Sequence, residues 1–320
     1  MEYKIAWFTE GNWTGKVPRN HPNMRNDMAW MHTFDVDHYP INTVHQITDK
    51  YDIGIVTLPK TNIDMLSQYP LIESMKRICK KIGTMQEGPS WYFQDYPMDQ
   101  QIWFYNVLME MDFIWCHNKI DKKYYKGLTK KKCYVNPTLM IEDFIKPKVE
   151  PGARSGEIIG GNMVRWYGGF DSYIVAQEFD TEIFAPSMGR KIEREDEMEI
   201  THLPYMSWVE WISHLSQFKY GVHLMPTVAA GTFTLNCAYW GIPCIGYEGL
   251  DTQSRCHPQL TVKINDLKHA RELANKLKND IGFYEAQSET AKNNFNVFFG
   301  EKEYIYTMNK VIKEVMNETN

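Results

Sequence analysis

Short apolar runs alternate with longer amphipathic stretches along nearly the whole chain, and that alternation leaves few folds open. In the first half, Tyr3–Thr9 (YKIAWFT), Tyr51–Leu58 (YDIGIVTL), Lys81–Gln86, Asp112–Cys116 (DFIWC) and Lys131–Val135 have the length and apolar content of buried strands. Helical patterning falls within Asn23–Thr33 and over Met98–Met111. Strands separated by helices of roughly 10–15 residues are βαβ units, and these require a parallel sheet.

The pattern lapses between Pro137 and Ser155, where Pro137, Pro147 and Pro151 are interspersed with charge, a composition that suits a linker. It then restarts. Gly156–Gly161 (GEIIGG), Glu182–Pro186 and Tyr220–Met225 (YGVHLM) are expected strands, with Phe170–Glu178 and Trp208–Gln217 as helices. Three helical stretches, Asp266–Lys278, Phe283–Asn294 and Glu301–Val315, close the chain. The expectation is two Rossmann-like α/β domains in tandem, residues 1–148 and 149–300, with 301–320 as a final helix. Ligands of open α/β sheets sit beyond the carboxyl ends of the strands. Two such domains facing each other make a deep cleft, with a nucleotide-linked donor on one wall and an acceptor on the other.

Composition narrows the class. Of 320 residues, 43% are hydrophobic and 23% charged, the proportions of a soluble globular protein. No apolar run approaches the ~18 residues of a membrane span. The start, MEYKIAWFTEG, lacks the basic-then-apolar layout of a secretory signal. Cys79, Cys116, Cys133, Cys237, Cys244 and Cys256 are scattered without metal-type spacing, as expected of reduced core thiols in a cytoplasmic protein. The net charge of −5 excludes a general polycation, yet it is unevenly spread: residues 1–147 hold 18 Lys/Arg against 17 Asp/Glu, and the remainder 17 against 23.

One segment carries most of the concentrated charge. Lys119–Tyr134 (KIDKKYYKGLTKKKCY) holds seven lysines with Tyr124 and Tyr125 between them. Basic residues interleaved with aromatics form a surface for a polyanion, and a solvated helix-and-turn surface has the same composition. On the first reading the acceptor is anionic, a nucleic acid or a phosphate-bearing lipid, and Lys130, Lys131 and Lys132 contact it.

A second segment concerns phosphate. In PTVAAGTFTLNCAYWGIPCIG (Pro226–Gly246) a helix is expected to start at Gly231-Thr232 and stop at Gly241, with a strand after Pro243. A helix N-terminus offers free backbone N–H groups and partial positive charge. Gly231 allows close approach to the amides of Thr232, Phe233 and Thr234, and the hydroxyls of Thr232 and Thr234 can add hydrogen bonds to a diphosphate. The plainer alternative is a turn glycine followed by a capping threonine.

From Trp208 to Ile245 this region resembles the donor-binding part of the GT-B glycosyltransferases, in particular family 4-like donor domains. The layout of both halves fits that resemblance, and its motifs occupy about 90 residues. Gly231 stands at the phosphate-approach glycine, and Gly241, Pro243 and the strand CIG match the motif's end. The chain departs from the pattern at Val228 and Asn236, where the family usually has glutamates, and at Met163 and Gly168, where it has a basic pair. The resemblance implies a nucleotide sugar, a UDP-sugar by preference, held mainly by the C-terminal domain. It implies that Asn236 bonds the ribose, that Arg165 serves the diphosphate, and that the last helix crosses back to the N-terminal domain. It also implies that no metal or other cofactor is required. The Asp-x-Asp string at Asp35–Asp37 lies in the wrong domain for a donor metal. Some bacteriophage enzymes of this fold glycosylate hydroxymethylated DNA bases, and the chain's small size and Asn/Lys/Tyr/Met-rich usage resemble theirs.

Transfer to a hydroxyl calls for a base if the reaction inverts. Glu87 (in QEGP), Glu10 (in TEGN) and Asp37 (in FDVDHYP, beside His38) are the candidates, each expected on a loop at a strand's carboxyl end. Trp13 and Trp91, with Tyr92 and Phe93, lie on the same loops and either stack on the acceptor or cover a core edge. Three other activities are compatible with the same residues: transfer to a carbohydrate or lipid acceptor, sugar-nucleotide 2-epimerisation, and non-catalytic binding of a nucleotide or DNA.

Overall fold

Every strand pairing in the chain's two sheets is parallel. The computed structural model describes residues 3–59, 63–86, 88–161, 163–186 and 191–317. The chain divides into two compact units, residues 1–141 with 301–320, and residues 142–300. The first division falls inside the proline-bearing stretch.

The first unit runs β1 (Ile5–Thr9), α1 (Asn26–Thr33), β2 (Asp37–Pro40), β3 (Tyr51–Leu58), α2 (Ile63–Ser67), α3 (Leu71–Ile78), β4 (Cys79–Gln86), α4 (Met98–Glu110), β5 (Phe113–Cys116), α5 (Lys119–Thr129) and β6 (Lys132–Val135). The second runs β7 (Glu157–Ile159), α6 (Gly169–Ala176), β8 (Ile183–Ala185), β9 (Thr201–His202), α7 (Trp208–Leu215), β10 (Tyr220–His223), α8 (Thr232–Trp240), β11 (Cys244–Tyr247), α9 (Asp251–Cys256), β12 (Thr261–Val262), α10 (Leu267–Asn279) and α11 (Ile281–Phe299). The final helix, α12 (Glu301–Asn317), belongs to the first unit.

The first sheet has the order β2-β1-β3-β4-β5-β6 and the second β12-β11-β10-β7-β8-β9. Each order reverses once, between β1 and β3 and between β7 and β10. At such a reversal the helices leave to opposite faces, which opens a crevice at the carboxyl ends of the two central strands.

In the first unit, one sheet face carries Phe8, Val56, Ile82 and Ile114 against Met75 of α3, Phe104 of α4 and Tyr125 of α5. The other face is aromatic: Trp7 lies 6.0 Å from Trp30 of α1 and 5.5 Å from Trp115. Helix α12 packs on this face, with the Tyr304 ring 5.9 Å from Phe34 and its hydroxyl donating to Asn136 Oδ1 at 2.7 Å. Arg19 forks onto both oxygens of Glu301 at 3.0 and 3.1 Å, and Tyr134 donates to Glu314 at 2.8 Å. In the second unit Ile159, Val222 and Ile245 pack under α6 and α10, while Ile158, Cys237 and Cys244 fill the face under α7 and α8. All six cysteines are buried free thiols.

Candidate functional site

In the second unit the reversal point lies at the carboxyl ends of β7 and β10. The segment after β10 leads into α8, whose N-cap is Gly231 at φ +72, ψ 33. No side chain caps α8, whereas Asn118 caps α5, Ser207 caps α7 and Asp266 caps α10. Left-handed backbone at Gly231 turns the chain into the helix, and the first-turn amides of Phe233 and Thr234 point out at the sheet's ligand edge.

Two buried polar atoms at this corner lack protein partners. His223 ends β10, is 5% exposed, and its Nδ1 has no hydrogen bond; burial holds the imidazole down to about 4, so it is neutral. Phe233 packs 5.1 Å from the His223 ring. A side chain on Gly160, just past β7, would come within 2.5 Å of that ring. Asn236, in the second turn of α8, is 2% exposed with Oδ1 unpartnered. Unsatisfied buried acceptors are uncommon in folded proteins, and a bound ligand is one way to satisfy them. His223 is not among the residues the sequence singles out; its position at the end of a strand feeding the glycine turn is the available signal.

Thr234 departs from expectation. It is fully buried, its hydroxyl donating to the Gly231 carbonyl at 3.1 Å and lying 2.7 Å from Thr252 Oγ1, so its side chain is turned away from any ligand. Thr232 is half-buried in the first turn. Arg165 belongs to a short turn, Arg165–Tyr167, in the connection from β7 to α6.

In the first unit a pocket of about 400 Å³ opens at the carboxyl ends of β1 and β2, lined by Thr9, Glu10, Asn12, Pro40, Ile41, Asn42 and Leu66. Glu10 is exposed on its wall. Behind it, His38 is fully buried, with Nε2 2.8 Å from Thr9 Oγ1 and Nδ1 2.9 Å from the Trp13 carbonyl. The Trp13 indole stacks on His38 at 3.8 Å, so one of its faces is already covered. Trp91 sits in the turn Ser90–Asp95, 4.4 Å from Tyr92, on the connection leaving the carboxyl end of β4. Phe93 is core, packed on Phe104 at 4.7 Å. Glu87 lies outside the described residues.

The other expected site residues are on the wrong edge. Asp37 begins β2, pairing alongside Ala6, and accepts from Tyr51 at the start of β3; that is the amino edge of the sheet. Lys130 terminates α5 in left-handed backbone, Lys131 follows, and Lys132 begins β6, opposite Phe113 at the start of β5. A helix between parallel strands returns the chain to the amino edge, so these three lysines are far along the sheet from Glu10 and Trp13. The carboxyl edge therefore gathers Glu10, Trp13 and Trp91, and excludes Asp37, Lys130, Lys131 and Lys132. Among the described residues no group of three or more His, Cys, Asp or Glu side chains is arranged to hold a metal, and no helix is long and apolar enough to cross a membrane.

No family model matches the chain, and no curated protein matches it in sequence. Solved structures do match it in fold. The Anabaena protein HepE in complex with UDP-glucose superposes with a TM-score of 0.71 at 8% identity, covering 98% of this chain and 100% of that one. An alpha-glucosyltransferase in complex with UDP and a 13-mer DNA containing an HMU base gives 0.66 at 13% identity, over 97% and 99%. Sucrose-phosphate synthase from Thermosynechococcus elongatus gives 0.63 at 11%, over 83% and 74%. These are likenesses of architecture, carried by the two six-stranded parallel sheets and their strand orders, and by them the chain has the two-domain α/β fold of the GT-B glycosyltransferases.

Proposed function

We propose that the chain is a glycosyltransferase that moves a sugar from a UDP-sugar to a hydroxyl on a hydroxymethylated base of phage DNA. The observation that carries the donor half is the uncapped N-terminus of α8 behind Gly231, at the reversal point of the second sheet. Its amides and partial positive charge suit a diphosphate, and they gain value as negative charge builds on the departing UDP. In the reaction the acceptor oxygen bonds to the anomeric carbon, the bond from that carbon to the diphosphate breaks, and UDP leaves with the electron pair. Asn236 would bond the ribose hydroxyls, and Arg165 the diphosphate.

The acceptor half rests on the pocket at Thr9 and Glu10. Of the three acids named from sequence, Glu10 is the one the described residues hold at a carboxyl edge, and it is the candidate to take the acceptor's proton. The lysines of α5 supply the charge a nucleic acid needs. Access to DNA and to nucleotide sugars implies action in the cytoplasm.

The test is transfer of radiolabelled sugar from UDP-glucose and related donors to hydroxymethylated duplex DNA, with unmodified DNA and an anionic phospholipid as controls. Label on the hydroxymethylated DNA alone is the expected result. Label in the lipid moves the acceptor class. Release of free sugar and UDP from the donor, with no acceptor labelled, leaves a transferase of another acceptor, and an unchanged donor leaves a binding protein.

A further inference from the structure

Hydrogen-bond bookkeeping beneath the first unit's pocket fixes what Thr9 can offer a ligand. His38 Nδ1 lies 2.9 Å from the Trp13 carbonyl, which can only accept, so Nδ1 carries the ring's hydrogen. The ring is fully buried, and burial holds it neutral, down to about 4. Nε2 is therefore bare and accepts. Thr9 Oγ1, 2.8 Å away, must give its single hydrogen to it. The same oxygen receives the Gly11 N–H at 2.9 Å. One lone pair remains, on an oxygen that lines the pocket. The Trp13 indole stacked at 3.8 Å, with 23° between the planes, keeps the imidazole from turning over to the opposite arrangement.

We propose that Thr9 is a dedicated hydrogen-bond acceptor that makes this pocket select a ligand group bearing an O–H donor, and so sets acceptor choice between a hydroxymethyl group and its methyl counterpart. The inference rests on the reading that the pocket takes the acceptor. A threonine free to rotate would serve donors and acceptors alike. Here the hydroxyl is committed on the protein side, and a methyl group opposite it would leave the last lone pair unanswered. The cost of an unmet buried hydrogen bond translates to about a tenfold preference. Glu10 stands beside Thr9 on the same wall and has a different task, taking the proton during transfer.

Two measurements test this. In the first, binding of hydroxymethyluracil-containing and thymine-containing duplexes of one sequence is compared in the presence of UDP. Wild type should prefer the hydroxymethyl duplex about tenfold. Thr9→Ser should retain the preference, Thr9→Val should lose it, and His38→Phe should weaken it with Thr9 still in place, because the freed hydroxyl can then donate. Glu10→Gln should abolish transfer and keep the preference in binding. A Thr9→Val protein that folds and still prefers the hydroxymethyl duplex as strongly as wild type overturns the proposal. In the second, ¹⁵N NMR of the His38 ring should show hydrogen on Nδ1 and a bare Nε2. Hydrogen on Nε2 overturns the proposal whatever the acceptor is. A wild type that binds neither duplex defeats the DNA reading, and the ring's tautomer then decides whether Thr9 is an acceptor-only group.

Discussion

The hydroxyl of Thr252 stands where a side chain on Gly231 would have to go. A Cβ on Gly231 would lie 2.0 Å from Thr252 Oγ1, and that oxygen donates to the Gly231 carbonyl at 2.9 Å. Glycine is thus required here by the fold, through φ +72 and through Thr252, before any phosphate is considered. Gly231→Ala should destabilise the protein by about 2–4 kcal/mol, combining left-handed strain with overpacking. Adding Thr252→Ala should recover only the overpacking part. Urea unfolding of the single and double variants checks this, and a Gly231→Ala protein as stable as wild type would remove the packing argument. UDP affinity measured on the surviving folded fraction should also fall, since the first turn of α8 is displaced.

Glu157, at the amino end of β7, predicts a pH-dependent stability. Its side chain is fully buried, one oxygen bonded by Thr181 and the other without a partner. Burial, assisted by the nearby charge of Asp180, raises its carboxyl from 4.5 to about 8. In that interval the folded protein keeps a proton that the unfolded chain releases, so unfolding is favoured as pH rises from about 4.5 to 8 and the loss is complete above it. Glu157→Gln should leave stability near pH 4.5 close to wild type and raise it at pH 8.5. The difference between the two urea midpoints should therefore grow with pH. A constant difference across the range would mean that the carboxyl is already ionised in the fold.

Much of this architecture is legible because buried parallel strands are continuous apolar runs. Tyr51–Leu58 is expected as a strand and is β3 over those same residues. β2 escapes the pattern. Asp37–Pro40 is four residues long, contains a histidine and ends in proline, and its burial is explained only by Thr9 and Trp13, distant in sequence. The glycine turn before α8 is legible for the same reason that it forms, but the inward aim of Thr234 is not, because it answers to Thr252 eighteen positions on. The amino-edge position of Lys130–Lys132 is legible too: residues that immediately precede a parallel strand lie at that edge, and a strand is expected near Lys131–Val135. For Asp37 the same inference needs β2.

The lysines of α5 divide by face, and the division predicts which of them DNA feels. Lys119, Lys123, Lys126 and Lys130 are all exposed and follow one another at helical spacing on one side of the helix. Lys123, Lys126 and Lys130 have no ion pair with any described residue, whereas Lys131 is less exposed and lies near Glu110. Replacing Lys123 and Lys126 by Ala should lower duplex affinity and reduce the log–log salt slope by about 0.9 for each DNA phosphate no longer neutralised. Lys131→Ala should change the slope little. Equal effects from both substitutions would show a diffuse charge requirement with no particular face.

Asn236 separates a binding residue from a structural one. Its amide is 2% exposed, yet Oδ1 bonds nothing in the protein, so the fold bears the cost of burying that oxygen without return. If the return comes from the ribose of the donor, removing the amide should cost binding and not folding. Asn236→Leu, similar in volume and without polar atoms, should unfold at the same urea concentration as wild type or a higher one. Its affinity for UDP should fall about tenfold, equal to about 1.4 kcal/mol. The same loss should be visible in thermal melts: at UDP concentrations far above both dissociation constants, ligand stabilisation of the variant should lag wild type by that 1.4 kcal/mol, or about RT ln 10. A variant that is less stable without ligand and binds UDP as tightly as wild type would make Asn236 a structural residue, and would leave the donor held by the amides of α8 without it.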